Sequence, residues 1–318
     1  MSEKKKDNNR HEVALITDQL FTEHLTPDGH PERPERMRAL EETLGQAPLS
    51  SLKRIPITKG TTEQLLLAHQ TEYVELICST KPPVGCLVQL DMDTFMSSSS
   101  LEVALYVVGS SCRAVDETIL NDTRVFCATR PPGHHATRDK AMGFCLFNNA
   151  AIAARWAQKQ HKIERVAIVD FDVHHGNGTQ DIFWDDATVM YASSHQIPLY
   201  PGTGEKDEVG TANTIVNAPL KPGAGGKEFR AAMDGVILPR IDQFKPELLI
   251  ISAGFDAHRL DTIGNLELTE ADFAWVTREL VRIANAHSEG RVVSILEGGY
   301  NLRGLSMSVA SHIEALMT

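Results

Sequence analysis

One doubly wound α/β domain is the fold class this sequence predicts, and three observations carry the expectation. Short apolar runs alternate with longer amphipathic stretches to the end of the chain, which is the pattern of strand and helix units around a mostly parallel sheet. No Pro/Gly/Ser linker divides the 318 residues, and no internal repeat is visible. Clusters of Asp, His, Arg and Tyr follow four of the apolar runs directly, a placement that structure alone does not require.

The elements read in order as follows. Val13–Thr17 is a first strand, and the polar segment Asp18 to Arg33 is a long functional loop. Pro34 opens a helix over Glu35–Leu44, because its fixed φ suits the first helical turn. Thr62–Ile77 continues with helical pattern. The serines Ser97–Ser100 cap a long apolar-periodic helix from Leu101 to Leu120. Val125–Ala128 is a strand, Asn149–Gln160 a helix and Val166–Phe171 a strand. Val189–Ala192, Thr214–Ala218, Leu248–Ala253 and Val292–Leu296 extend the strand series. Helices are expected over Lys227–Gln243 and Thr269–His287, the second opened by a Thr269-x-x-Asp272 box. Asn301–Met317 closes the chain as a helix. Residues 1–10 are read as a polar tail and 11–318 as one catalytic domain.

Composition narrows the class of function. A hydrophobic content of 42% is ordinary for a globular protein, and the formal net charge of −11 argues against a nucleic-acid footprint. The five cysteines contain no Cys-x-x-Cys pair, which favours free thiols in a reducing compartment. Met1 to Arg10 lacks the apolar stretch of a signal peptide, and no run reaches the length of a transmembrane helix. A cytoplasmic protein without a membrane partner is the expectation.

The run Val166-Ala-Ile-Val-Asp-Phe-Asp-Val-His-His175 carries the most chemistry. Four apolar residues form a strand covered on both faces, and metal-ligand side chains take over at its C-terminal end. If the backbone stays extended, Asp170, Asp172 and His174 share one side. In a parallel sheet the other polar clusters gather on the same edge: Arg130 to His135, Ser252 to Asp256, and Glu297 to Tyr300. Asp256 then offers a third ligand beside Asp172 and His174, although alone it reads equally well as a helix cap. Three protein ligands with open positions suit a catalytic zinc. His134 and His135 offer an acid and a base, and Tyr300, in a motif that is often only a turn, a hydrogen-bond donor to an oxyanion.

These motifs together resemble the histone deacetylase family, whose members include lysine deacetylases, bacterial deacetylase-like amidohydrolases and acetylpolyamine amidohydrolases. The resemblance rests on His30-Pro-Glu-Arg-Pro-Glu-Arg36, Arg130-Pro-Pro-Gly-His-His135, Gly143-Phe144 with Phe147-Asn-Asn149, Asp170-x-Asp-x-His-His-Gly-Asn-Gly178, Ser252-Ala-Gly-Phe-Asp256 and Glu297-Gly-Gly-Tyr300. The Pro-Glu-Arg-Pro-Glu-Arg segment and Asn177 look like the class II branch. The resemblance implies a single-domain arginase/deacetylase fold and hydrolysis of an acyl amide. It implies Zn²⁺, or Fe²⁺, on Asp172, His174 and Asp256, with His135 as general base, His134 as its electrostatic and acid partner, and Tyr300 polarising the carbonyl. Asp170 would steady His134. A structural K⁺ or Na⁺ would sit with Asp170, Asp172, His174 and Ser193, and a second beside Phe183 and Val189. Gly143, Phe144, Tyr200 and Ile263 would line an acyl-lysine tunnel, and Arg36 an internal channel.

Two positions bear on activity. Class I relatives carry Asp where this chain has Asn177, and a neutral amide stabilises imidazolium less, so His135 is expected to be neutral more readily. Weakly active relatives carry His where this chain has Tyr300. Cys145 offers a nucleophile that the metal constellation makes unnecessary. The substrate is expected to be an acylated lysine in proteins or peptides. The alternative is an acylated polyamine or other small acyl amine, but relatives of that kind often carry a long insertion in the first loop that Asp18–Arg33 lacks. A non-catalytic binding module would have lost a ligand or Tyr300, and a binuclear manganese ureohydrolase wants further Asp ligands where this chain has Ala257 and His258. The sequence leaves the oligomeric state open.

Overall fold

The computed structural model describes residues 11–318, and the polar tail 1–10 lies outside the described residues. The chain runs β1 (Glu12–Ile16), α1 (Glu35–Leu44), β2 (Lys53–Arg54), α2 (Thr62–Leu65), α3 (Thr71–Ser79), β3 (Val88–Gln89), β4 (Phe95–Met96), α4 (Ser100–Asn121), β5 (Thr123–Cys127) and α5 (Asn149–His161). It continues with β6 (Val166–Asp170), α6 (Asn177–Phe183), β7 (Val189–Gln196), β8 (Ile215–Leu220), α7 (Gly226–Ala232), α8 (Leu238–Phe244), β9 (Leu248–Ala253), α9 (Glu270–His287), β10 (Val292–Leu296) and α10 (Leu302–Leu316). Eight strands form one sheet in the order β2-β1-β5-β10-β9-β6-β7-β8, every neighbouring pair parallel. The expected α/β class with a mostly parallel sheet is the observed one.

Both faces of the sheet are covered, which is why its strands read as unbroken apolar runs. Val166 and Ile168 join Ala14, Val125 and Ile250 against Val108 of α4 and Ala154 of α5. Their alternates Ala167 and Val169 join Leu15 and Ile251 against Leu280 of α9 and Val309 of α10. Each such Val, Ile or Leu contributes about 1.5–3 kcal/mol of burial. Among the described residues no helix is long and apolar enough to cross a membrane.

Four local expectations differ from the structure. The helical pattern over 62–77 splits into α2 and α3, because His69 between them is held by long-range bonds to Thr137 O and Asn148 N. The helix over 227–243 is interrupted by a wide turn at Met233–Ile237. Pro239 at the start of α8 has no N–H to give the ladder, which accounts for the break. The serine cluster does not cap α4 through a side chain. Instead Ser97 and Ser100 bond each other, and Ser100 Oγ lies 2.7 Å from His24 Nδ1, fastening the first loop to α4. Finally, the backbone after Asp170 is bent, not extended. Asp170 Oδ1 accepts from Asp172 N and Asp172 Oδ1 from His174 N, so each carboxylate folds the chain two residues on.

Candidate active site

The central strands β5, β10, β9 and β6 are adjacent, and their C-terminal ends supply the four polar clusters. Asp172 and His174 follow β6, and Asp256 follows β9. One ligand atom from each lies within 4.8 Å of the others. His174 Nδ1 faces Asp172 Oδ1 at 3.0 Å and Asp256 Oδ2 at 3.2 Å. Burial alone would lower the His174 pKa, but the two carboxylates push it up to about 9. Burial and Asp172 push Asp256 up to about 7.

These residues fit a dication. Asp256 Oδ2 is buried, and no donor meets it with hydrogen-bond geometry, His174 Nδ1 at 3.2 Å included. The floor is glycine: a Cβ at Gly254 would lie 2.1 Å from Asp172 Oδ2, and one at Gly298 2.1 Å from Asp256 Oδ2. Asp170, Asp172 and Asp256 are all buried here, and the carboxylates raise the pKa of the His174 imidazole between them. A dication would take the place of that imidazole proton.

The turn after β5 brings His134 and His135 to the same edge, with ring centroids 4.0 Å apart. Their environments differ. His134 Nδ1 lies 2.9 Å from Asp170 Oδ2, a carboxylate that also accepts from Tyr191 OH. Burial would lower the His134 pKa, yet Asp170 and Asp172 outweigh it and raise it to about 10. Burial raises the Asp170 carboxyl as well, so this buried pair retains a proton that a free histidine would release. His135 Nδ1 instead faces Asn177 Oδ1 at 2.8 Å. Burial, then the neighbouring His134 and His174, push its pKa well below the usual histidine range. A neutral His135 donates from Nδ1 to the amide and leaves Nε2 free to accept a proton.

Above these groups lies a cavity of about 200 Å³, lined by His135, Gly143, Phe144, His174, Tyr200, Ile263, Tyr300, Asp93 and Leu199. Gly143 has φ +56°, and a Cβ there would come within 2.4 Å of His135 Cδ2, so only glycine lets this wall approach the imidazole. Phe144 itself has φ 69°, an uncommon conformation for a bulky residue, held by its N–H donating to Thr94 Oγ1. Its ring meets Tyr300 edge-on at 5.8 Å, and the Tyr200 ring meets His135 at 5.1 Å. Burial, then Asp256, keeps the Tyr300 phenol protonated. A larger hollow of about 470 Å³ between Thr17–Thr22 and Met37–Glu42 holds no histidine, so size alone does not locate the chemistry.

Arg36 lies beneath Tyr300, with its guanidinium 5.0 Å from the ring centroid and donating to Gly299 O and Glu297 O. Asp170 and Ser193 are register partners on β6 and β7, and Ser193 Oγ is 2.8 Å from His195 Nδ1. Phe183 and Val189 are joined through Asp186, whose N–H donates to Phe183 O and whose Oδ1 accepts from Val189 N. The structure thus keeps these two apart from the acidic cluster, at the opposite end of β7. Cys145 is buried with its thiol pKa pushed well up by burial, an inert state for a nucleophile.

Residues 30–316 match the family described as the Histone deacetylase domain. The chain belongs to the histone deacetylase family. It is 38% identical over 300 residues to a probable deacetylase of Archaeoglobus fulgidus, covering 92% of this chain and 82% of that one. Over 310 residues it is 36% identical to Histone deacetylase 10, chloroplastic, of Oryza sativa, covering 91% and 70%. The crystal structure of the HDA15 HD domain superposes with a TM-score of 0.91 at 36% identity, covering 96% of this chain and 88% of that one. Family and relatives support deacetylase activity.

Three residues of this histone deacetylase family member escaped the sequence reading. Glu32 binds the buried Arg36 and Arg130, and nothing in its polar loop signals that pairing. Asp93 lines the cavity from a stretch without strand or helix pattern. Asp261 accepts from Tyr300 N and Asn301 N, fixing the turn that carries the phenol.

Proposed function

We propose that the protein is a Zn²⁺-dependent amidohydrolase that removes acetyl, or other acyl, groups from lysine side chains of proteins or peptides. One observation carries the reading. Two adjacent imidazoles have different partners, His134 a carboxylate and the cavity-lining His135 a neutral amide, beside a carboxylate-rich ligand set. Paired groups whose environments push their pKa values apart mark an acid and a base.

Asp172, His174 and Asp256 would hold the ion, with Fe²⁺ an alternative occupant. When bound, the ion supplies Lewis acidity toward a water and toward the amide carbonyl. His135 Nε2 takes the proton of the attacking water as the C–O bond forms. His134 delivers its proton to the leaving nitrogen as the C–N bond breaks, releasing an amine and a carboxylate. Tyr300 donates to the carbonyl oxygen while charge develops there. Phe144 and Tyr200 pack the lysine methylenes, with Gly143 and Ile263 completing the tunnel. Asp170, Asp172, His174 and Ser193 would hold K⁺ or Na⁺ behind the site, with a second cation near Phe183 and Val189. Residues 11–318 would form the catalytic domain, and five free thiols suit a cytoplasmic setting.

A turnover panel tests the reading, comparing acetyl-lysine peptides, longer acyl-lysine peptides and acetylpolyamines. Acyl-lysine peptides are expected to be the better substrates, and stronger turnover of acetylpolyamines would transfer the site to small amines. Tyr300→Phe removes one oxygen that makes no hydrogen bond among the described residues, so the fold should be unaffected. Its kcat should fall by about 10²–10³-fold, with metal content retained. Near-wild-type kcat would remove Tyr300 from the chemistry.

A further inference from the structure

Glu297 follows β10 beneath the two histidines, and the chemistry above gives it no task. Its side chain is fully buried, and its hydrogen bonds go to two backbone amides and a hydroxyl. A carboxylate in that position is costly unless hydrogen bonds replace its hydration. The bonds it makes are specific. Oε2 accepts from Gly133 N at 2.7 Å and His134 N at 3.1 Å, and Oε1 accepts from Ser252 Oγ at 3.0 Å.

The sheet order explains how one side chain reaches these partners. β10 lies between β5 and β9, so the residue after β10 stands between the turn that carries the histidines and the strand that leads to Asp256. Gly133 and His134 have left β5, so no ladder holds their amides. The Glu297 main chain is tied down as well, its carbonyl accepting from Arg36 and the next amide, Gly298 N, donating to Asp172 Oδ2. The carboxylate is a rigid post with three arms, two of them on the backbone that precedes and carries the His134 ring.

We propose that Glu297 is a positioning residue whose two-amide grip on Gly133 and His134 sets where the imidazoles of His134 and His135 stand against the acidic cluster. Its role in turnover rests on the amidohydrolase reading, while its grip on the turn does not. The proposal makes reach, and not charge, the essential property. Glu297→Gln keeps the reach, because its amide oxygen can accept both N–H groups and its NH₂ can donate to Ser252. Glu297→Asp keeps the charge and loses one methylene of reach.

The experiment measures kcat and KM for acetyl-lysine peptide in wild type, Glu297→Gln and Glu297→Asp, together with amide hydrogen exchange at Gly133 and His134. Glu297→Asp should lose about 10²-fold in kcat with KM little changed, the cost of a small misplacement of catalytic groups, and both amides should lose protection. Glu297→Gln should stay within about tenfold of wild-type kcat, since neutral hydrogen bonds are about half as strong as charge-assisted ones, with protection retained. Wild-type kcat and protected amides in Glu297→Asp would overturn the proposal, and so would a Glu297→Gln variant as impaired as Glu297→Asp. If Glu297→Asp does not fold, Glu297→Gln carries the test alone, and loss of exchange protection at Gly133 and His134 in that variant would overturn the proposal equally. If the wild-type protein hydrolyses no acyl amide, the functional reading fails, and the exchange data alone decide whether Glu297 holds the turn.

Discussion

Replacing Glu32 by Gln should be among the most destabilising single changes that leave the core volume intact. Glu32 Oε1 accepts from Arg130 Nε at 2.7 Å and Arg36 Nη1 at 3.1 Å, and Oε2 accepts from Arg130 Nη2 at 2.8 Å. All three side chains are fully buried. Burial would raise the Glu32 pKa, but Arg130 outweighs it and holds the carboxyl well below the usual range. A glutamine keeps one acceptor and turns an NH₂ toward guanidinium donors, leaving two buried cations without a counter-ion. Removing one partner of a buried ion pair typically costs about 3–5 kcal/mol. The lower end applies, because each arginine keeps two backbone carbonyls: Arg36 those of Gly299 and Glu297, Arg130 those of Phe21 and His24. Against a total stability of about 5–15 kcal/mol that is a large share. Urea unfolding at pH 7 measures it as a fall in midpoint at constant slope. Adding Arg130→Met to Glu32→Gln should recover part of the loss, because one stranded cation is gone. A Glu32→Gln protein within about 0.5 kcal/mol of wild type, the range of ordinary surface substitutions, would refute the reading of Glu32 as the counter-ion of both arginines.

Asp172→Ala, His174→Ala and Asp256→Ala should each bind no zinc and hydrolyse no acyl-lysine, and full activity in a variant shown by metal analysis to be zinc-free would sink the metal assignment. His312 should make stability fall on acidification. Its ring is buried between Thr277 Oγ1 and Ser294 Oγ, and burial lowers its pKa to about 3. A folded-state pKa below the unfolded value means the unfolded chain binds the extra proton. Stability is therefore full above about pH 6.5 and falls by up to about 1.4 kcal/mol per pH unit between there and the folded pKa. Comparing unfolding free energies at pH 7 and pH 5 should give a shallower dependence for His312→Gln, and equal slopes would refute it.

How much of this was legible in the sequence depended on whether a feature was local. Strands β9 and β10 and helix α1 were read with their observed limits, because their apolar runs and the proline before α1 act on their own residues. The site clusters were legible because each begins where an apolar run stops. The break at His69 was not, since its cause is a pair of bonds to residues 137 and 148. Nor was the real role of Ser100, which looks like a helix cap until His24 is brought across from residues far upstream. Asp172 and His174 were placed correctly at the end of β6 on an argument from strand alternation, whereas bends made by the Asp170 and Asp172 carboxylates orient them. Glu32 could not be assigned, because a charged residue in a polar loop gives no sign that it will be buried.

The bonds that assemble this site are remote along the chain. Val173 N reaches Asp256 across 83 residues, Gly298 N reaches Asp172 across 126, Gly133 N reaches Glu297 across 164, and Arg36 reaches Gly299 across 263. Loop closure on that scale must precede any of these contacts, and topologies dominated by such contacts fold slowly. The ligand set therefore has no counterpart in a partly folded chain, which could display Asp172 and His174 together but not Asp256 with them. A metal held by all three residues, as proposed, would bind only the finished structure, so its affinity would add to the stability of the native state and its removal would lower that stability.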